Sequence, residues 1–230
     1  MTLGLEVASL RPKVSGAMSR QPTLGLGTCC LKGEASEEQV YQGLKIGYRF
    51  IDTASHYDNE GSVAGAIRRA AVPREELFLV TKIWFDDMGE RTTEALQESL
   101  KRLETDYVDL LLIHFPGTND AIQSPGTNRK RREDTWKQLE TAKLNGQAKS
   151  IGVANFTRRH LKEILSSCKE PPEVMQTEVH PYFQQSELLE LCRQKNLQIQ
   201  AFSPFAHGEL GLLDDRLLKE IAAKHQRTVP

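Results

Sequence analysis

No stretch of this sequence has the roughly 18 consecutive apolar residues that a membrane-spanning helix requires. Neither sign of charge dominates. The 30 Lys and Arg face 31 Asp and Glu, a formal net charge of -1, so no overall field would recruit nucleic acid or an acidic membrane. Cysteine is scarce, with Cys29, Cys30, Cys168 and Cys192 the only four. There is no CxxC spacing and no matching His cluster, which removes the usual sequence patterns of zinc and dithiol redox sites. The adjacent Cys29 and Cys30 raise the question of a metal or redox site, but reduced thiols in a cytoplasmic protein are the expectation. GxGxxG is absent too, so a Rossmann dinucleotide fingerprint is excluded. The first twenty residues carry Arg11, Lys13, Arg20 and several serines against the single acid Glu6, without an apolar core segment. Secretion is therefore not expected, and a short N-terminal hairpin is preferred to a transit peptide. No linker, repeat or low-complexity tract divides residues 1–230, which read as one domain.

What is present is ordinary for a soluble globular enzyme, 39% hydrophobic and 27% charged. Short apolar runs at 23–28, 48–52, 77–81, 107–113, 150–154, 174–178 and 197–202 alternate with helical patterns. Runs this short and this apolar read as buried parallel strands. Between them, Ser36 and Gln39 suggest a capping box before Val40 and Leu44, and Gly47 is placed to end that helix. Stripes at Leu96, Leu100 and Leu103, at Trp136 and Leu139, at Leu161, Ile164 and Leu165, at Leu188, Leu191 and Cys192, and at Leu218, Ile221 and Ala222 mark the others. The long loop 117–131 ends in the basic run Arg129–Arg132. With nothing aromatic interleaved, a solvated helix entrance is preferred to a phosphate or nucleic-acid site.

Seven βα units imply a parallel α/β sheet, either doubly wound or closed as a barrel. Thr28, Asp52, Lys82, His114, Asn155, Glu178 and Ser203 each fall at or just past a strand's C-terminal end. In a (β/α)8 TIM-type barrel those ends converge on one mouth, where function sits; a doubly wound sheet would concentrate its site at one switch point. The barrel is therefore expected, with its eighth strand missing from this chain.

Asp52, Tyr57, Lys82 and His114 could together make an acid catalyst. A free tyrosine has a pKa near 10, and a neighbouring ammonium lowers it. A carboxylate holds the lysine charged, and a histidine orients a substrate oxygen. Taken singly, each has a duller account: a helix cap, a loop aromatic, a surface charge, a core histidine.

The segments around these residues resemble the aldo-keto reductases. Phe50-Ile51-Asp52-Thr53-Ala54-Ser55-His56-Tyr57-Asp58-Asn59-Glu60 is similar to that family's signature around its catalytic Asp and Tyr. Leu24–Thr28, Val80–Trp84, Leu112–Pro116, Ile151–Phe156, Gln176–Pro181 and Ala201–Pro204 resemble its other motifs, in order, from about residue 20 onward. The resemblance implies NADPH-dependent reduction of a small-molecule carbonyl by a cytoplasmic monomer. It makes Tyr57 the general acid, Lys82 and Asp52 its supporting pair, and His114 the substrate orienter. Asn155 and Gln176 would bind the nicotinamide carboxamide and Phe202 would stack on the ring. Thr28, Ser203 and Asp52 would complete the cofactor site, while Cys29, Trp84 and Phe115 would line the substrate pocket. Ala154 replaces a common Ser, and Cys29 and Phe115 replace common Trp residues, which should open the pocket. The family's eighth strand, which holds the adenosine 2′-phosphate, and its C-terminal substrate loop have no counterpart here. Two alternatives therefore stand beside the reductase: a non-catalytic, partner-binding remnant, and a lyase or aldolase using Lys82 as a Schiff-base amine.

Overall fold

The computed structural model describes residues 21–117 and 126–230; the N-terminal hairpin expectation and most of the 117–131 loop lie outside them. Seven strands are present: β1 (Leu26–Gly27), β2 (Phe50–Asp52), β3 (Phe78–Ile83), β4 (Val108–Ile113), β5 (Ala148–Ala154), β6 (Val174–Glu178) and β7 (Gln198–Phe202). Between them run α1 (Gly33–Lys45), α2 (Glu60–Ala70), α3 (Thr92–Arg102), α4 (Thr127–Leu144), α5 (Arg158–Ser167) and α6 (Ser186–Gln194), with α7 (Arg216–Lys224) following β7. Every strand pair is parallel, and the order across the sheet is the order along the chain. A doubly wound sheet reverses that order at its switch point. The unbroken order is that of a barrel wall, here nearly closed, with no eighth strand among the described residues.

The two-residue period of the strands sorts their side chains into two cores. Phe50, Phe78, Val80, Leu110, Leu112, Ala154 and Val174 point inward and pack on one another. The alternate residues, among them Ile51, Leu79, Leu111, Ile113, Ile151, Val153 and Met175, pack outward with Leu44, Val63, Leu96, Trp136, Leu139, Leu161 and Leu188 of the helices. The inward phase decides where the site lies. Asp52 continues the row of Phe50, Lys82 that of Phe78 and Val80, His114 that of Leu110 and Leu112, and Gln176 that of Val174. Each polar residue tops an apolar row. Inside β7 the row itself is polar, with Gln198 and Gln200 both buried. Gln198 donates to the side chain of Gln21 at 2.9 Å.

Three local expectations need correction or refinement. Ser36 caps nothing: α1 starts at Gly33, three residues earlier, and the Ser36 hydroxyl is buried without a partner among the described residues. The capping box belongs instead to α5, where Thr157 and the His160 ring exchange bonds with each other's backbone N–H. The basic run is absorbed by the fold. Arg129 and Lys130 pair with Glu133 and Asp134 one turn on, while Arg131 donates to carbonyls of the loop after β3. Arg132 is buried against Glu163 and the Pro116 carbonyl, so only part of the run is solvated. The stripe on α7 forms a helix but is only partly covered: Leu218 and Ala222 are half-buried, while Ile221 and the neighbouring Leu217 are 46% and 63% exposed. Gly47 does end α1, at φ +106°, a conformation that favours glycine.

Candidate active site

Three elements bring Asp52, Tyr57 and Lys82 together. β2 and β3 are neighbours, and their register sets Asp52 opposite Val80, two residues before Lys82. A single 3₁₀ turn, Ser55–Tyr57, then carries Tyr57 back over the strand ends; its backbone N–H donates to the Ala54 carbonyl and the Ser55 hydroxyl to the Lys82 carbonyl at 3.1 Å. The Lys82 ammonium, wholly buried, hydrogen-bonds the Asp52 carboxylate, the Thr53 carbonyl at 2.9 Å and the Tyr57 hydroxyl at 3.3 Å. His114 follows β4, its ring edge-to-face with Tyr57 at 5.4 Å between centroids.

The electrostatics follow from burial. Burial works hardest against the Lys82 charge, but the Asp52 carboxylate and Tyr57 together outweigh it and hold the lysine pKa above its ordinary value. Burial also raises the Tyr57 pKa, and here the ammonium's opposing pull does not prevail. The expectation of a tyrosine lowered by Lys82 is thus half right: the lysine acts in that direction, and desolvation of the phenolate exceeds it. Burial, followed by the Lys82 charge and His56, pushes the His114 pKa down to about 2, which keeps the imidazole neutral.

On the other side of the mouth stand the amides. Gln176 in β6 donates to the free oxygen of Asp52 at 2.6 Å and to Gln200 at 3.0 Å. Asn155, just past β5 at φ +61°, donates to the His114 carbonyl at 2.9 Å. Phe202 ends β7, in register with Glu178. Two amides and an aromatic ring thus lie at three successive strand ends, a set whose chemistry would suit a nicotinamide. Thr28 is buried after β1, its hydroxyl donating to the Asp52 carbonyl at 3.1 Å. Ser203 bonds the His207 ring at 3.1 Å.

The proposed pocket residues gather less uniformly. Trp84 lies 4.9 Å from the His114 ring and 6.1 Å from that of Phe115. Cys29 is exposed, within electrostatic reach of Lys82 and Asp52. Two participants were not assigned from the sequence. His56 stacks flat on Trp84 at 3.6 Å. Buried Asn59 clamps the β1–α1 turn, donating to the carbonyls of Thr28 at 2.7 Å and Leu31 at 2.9 Å. Both lie inside the signature stretch, so their position was visible even though their contacts were not. A cleft of about 690 Å³ between α5 and α6 shares Phe115 and Asn155 with the site but touches neither Tyr57 nor Lys82.

Residues 23–229 match the Aldo/keto reductase family. The chain is 42% identical over 212 residues to the 9,11-endoperoxide prostaglandin H2 reductase of Trypanosoma cruzi, covering 91% of this chain and 71% of that protein. It is 40% identical to the glyoxal reductase of Bacillus subtilis, covering 90% of this chain and 71% of that one. Among solved structures it resembles an aldo-keto reductase from a deep-sea metagenome library of the Medee basin, with TM-score 0.84 at 38% identity, covering 91% of this chain and 74% of the other. By fold, by motif and by these likenesses, the chain belongs to the aldo/keto reductase family.

Proposed function

We propose that this protein reduces small aldehydes or ketones to alcohols, with Tyr57 as general acid and NADPH as the reductant. The observation that carries the reading is the buried Lys82 ammonium, bonded to Asp52 and 3.3 Å from the Tyr57 hydroxyl. When bound, a reduced nicotinamide supplies a hydride to the carbonyl carbon. Everything else falls to the chain. Tyr57, protonated through the neutral range, donates its phenolic hydrogen to the carbonyl oxygen. As that proton leaves, negative charge grows on the phenolate, and the fixed Lys82 charge stabilises it where it develops. Neutral His114 is suited to hold the carbonyl oxygen without competing for the proton. Asn155, Gln176 and Phe202 would hold the nicotinamide, with Thr28, Ser203 and Asp52 around it. His56, Trp84, Phe115 and Cys29 would shape the substrate pocket. The relatives' names include glyoxal and methylglyoxal reductases, so short dicarbonyls are the first substrates to try. The family resemblance supports a cytoplasmic protein that is monomeric at full length.

A Schiff-base role for Lys82 fits poorly, because a lysine held protonated by Asp52 has no lone pair to attack with. Consumption of NADPH with methylglyoxal, compared between the wild type and Tyr57→Phe, tests the proposal. The variant should lose at least about 100-fold in kcat, the usual worth of a positioned acid, with cofactor affinity unchanged. Near-normal turnover would remove Tyr57 from its role.

A further inference from the structure

Neither of the two adjacent cysteines takes part in the proton transfer above, although Cys29 would line the substrate pocket. They sit in the β1–α1 turn, at the same mouth as the tetrad. Both are exposed, and their sulfurs are 3.1 Å apart. Cys30 takes a left-handed φ of +71°. The turn is tied to the catalytic machinery on both sides of the pair: Asn59 holds the carbonyls of Thr28 and Leu31, which bracket the two cysteines. Asn59 lies two residues after Tyr57, and Lys32 pairs with Asp58 between them at 3.5 Å.

We propose that Cys29 and Cys30 are an oxidative modification site, which a small-molecule disulfide such as oxidised glutathione converts to a vicinal disulfide that lowers the reductase activity inferred above. The sulfurs need approach by only about 1 Å to reach a bonding distance near 2.0 Å. Cys30 acts first. Its thiolate attacks the oxidant's S–S bond, forming a mixed disulfide and expelling one glutathione thiolate. Cys29 then attacks the Cys30 sulfur, closing the ring and expelling the second. The two protons leaving the cysteines go to the two glutathione thiolates, so the pair is oxidised by two electrons and the oxidant reduced by two. Partial desolvation of its sulfur, then the hydrogen bond shared with Cys30, push the Cys29 thiol up to about 11, which makes it the poorer first nucleophile.

Neighbouring Cα atoms across a trans peptide are about 3.8 Å apart, below the roughly 4.4–6.8 Å usual for disulfides. The closed ring is therefore strained, and a strained, exposed disulfide is readily reduced. The strain falls on the peptide between Cys29 and Cys30, and Asn59, two residues from the general acid, holds the carbonyls on either side of the pair.

The full chain, incubated with oxidised glutathione and then denatured, should lose two of its four titratable thiols. The peptide carrying residues 29 and 30 should weigh less by two hydrogens, with no glutathione attached, and dithiothreitol should restore both thiols. Cys30→Ser and Cys29→Ser should each prevent the link. Activity should fall on oxidation in the wild type and stay constant in Cys30→Ser. Retention of all four thiols, a link to Cys168 or Cys192, or a link between chains overturns the proposal. Oxidation of the pair with unchanged activity overturns its coupling to Tyr57. Mass and thiol count read the modification whether or not the chain turns over a carbonyl, so failure of the reductase reading is told apart from failure of this one.

Discussion

His114 shows how burial fixes a residue's role. An ordinary imidazole gains its proton near pH 6.5. In the folded chain His114 resists protonation down to about pH 2. The unfolded chain therefore binds the proton first as pH falls. Its contribution to stability is complete above pH 6.5 and is lost progressively below it, by up to about 1.4 kcal/mol per pH unit. His160, lowered to about 4 chiefly by its burial, acts in the same direction over a narrower range. Urea unfolding at a series of pH values from neutral downward should show this loss, and His114→Gln should flatten the slope. An equal slope in the variant would mean that His114 is not kept neutral by the fold. The identities and the convergence of Asp52, Tyr57, Lys82 and His114 were legible in the sequence, because strand ends in a barrel share one mouth. The sign of the Tyr57 shift was not, since it depends on how far the phenol is withdrawn from water, and no spacing encodes that.

At the scale of elements, β5 and β6 are joined at a point that tolerates no side chain. A methyl group on Gly152 would stand 2.6 Å from the Val174 carbonyl oxygen and 2.9 Å from a Leu112 methyl. Neither strand can give way without disturbing its ladder. Gly152→Ala should destabilise the chain by about 1–3 kcal/mol, the range for overpacking. Gly27→Ala, whose new methyl meets nothing within 4 Å, should be close to neutral. Comparing the two by denaturant unfolding checks the difference; equal effects would show that β5 and β6 can shift apart. All seven strands were readable as apolar runs, because parallel strands covered by helices need no polar face. Helix starts were read less well. Ser36 and Gln39 have the spacing of a capping box, but the helix began earlier, at a left-handed glycine. Thr157 has its partner in His160, a residue the usual Glu or Gln pattern does not include.

For the molecule as a whole, β1 and β7 each have one unpaired edge among the described residues. The exposed Leu217 and Ile221 of α7 add uncovered apolar surface. Unpaired strand edges and uncovered apolar surface both favour contact with another chain. The chain should therefore self-associate at micromolar concentration, which a sizing experiment would read. A monomer would show that these edges and the α7 face do not recruit a second chain.

The strand order also governs how the molecule breathes. Each strand pairs only with its neighbours in the chain, so opening can begin at an end and spread inward, as in a linear array of repeats. β1 has two residues and β7 five, whereas the central β4 and β5 have six and seven. Amide exchange should be slowest in β4 and β5 and quicken toward both margins, and uniform protection would contradict a frayed ladder. Gln176 and Phe202 sit on the β7 side of that gradient, while Lys82 and His114 flank its slow centre. A ligand gripped by the amides and Phe202 would then act as a clasp, slowing exchange in β6 and β7 more than in the strands that carry the acid.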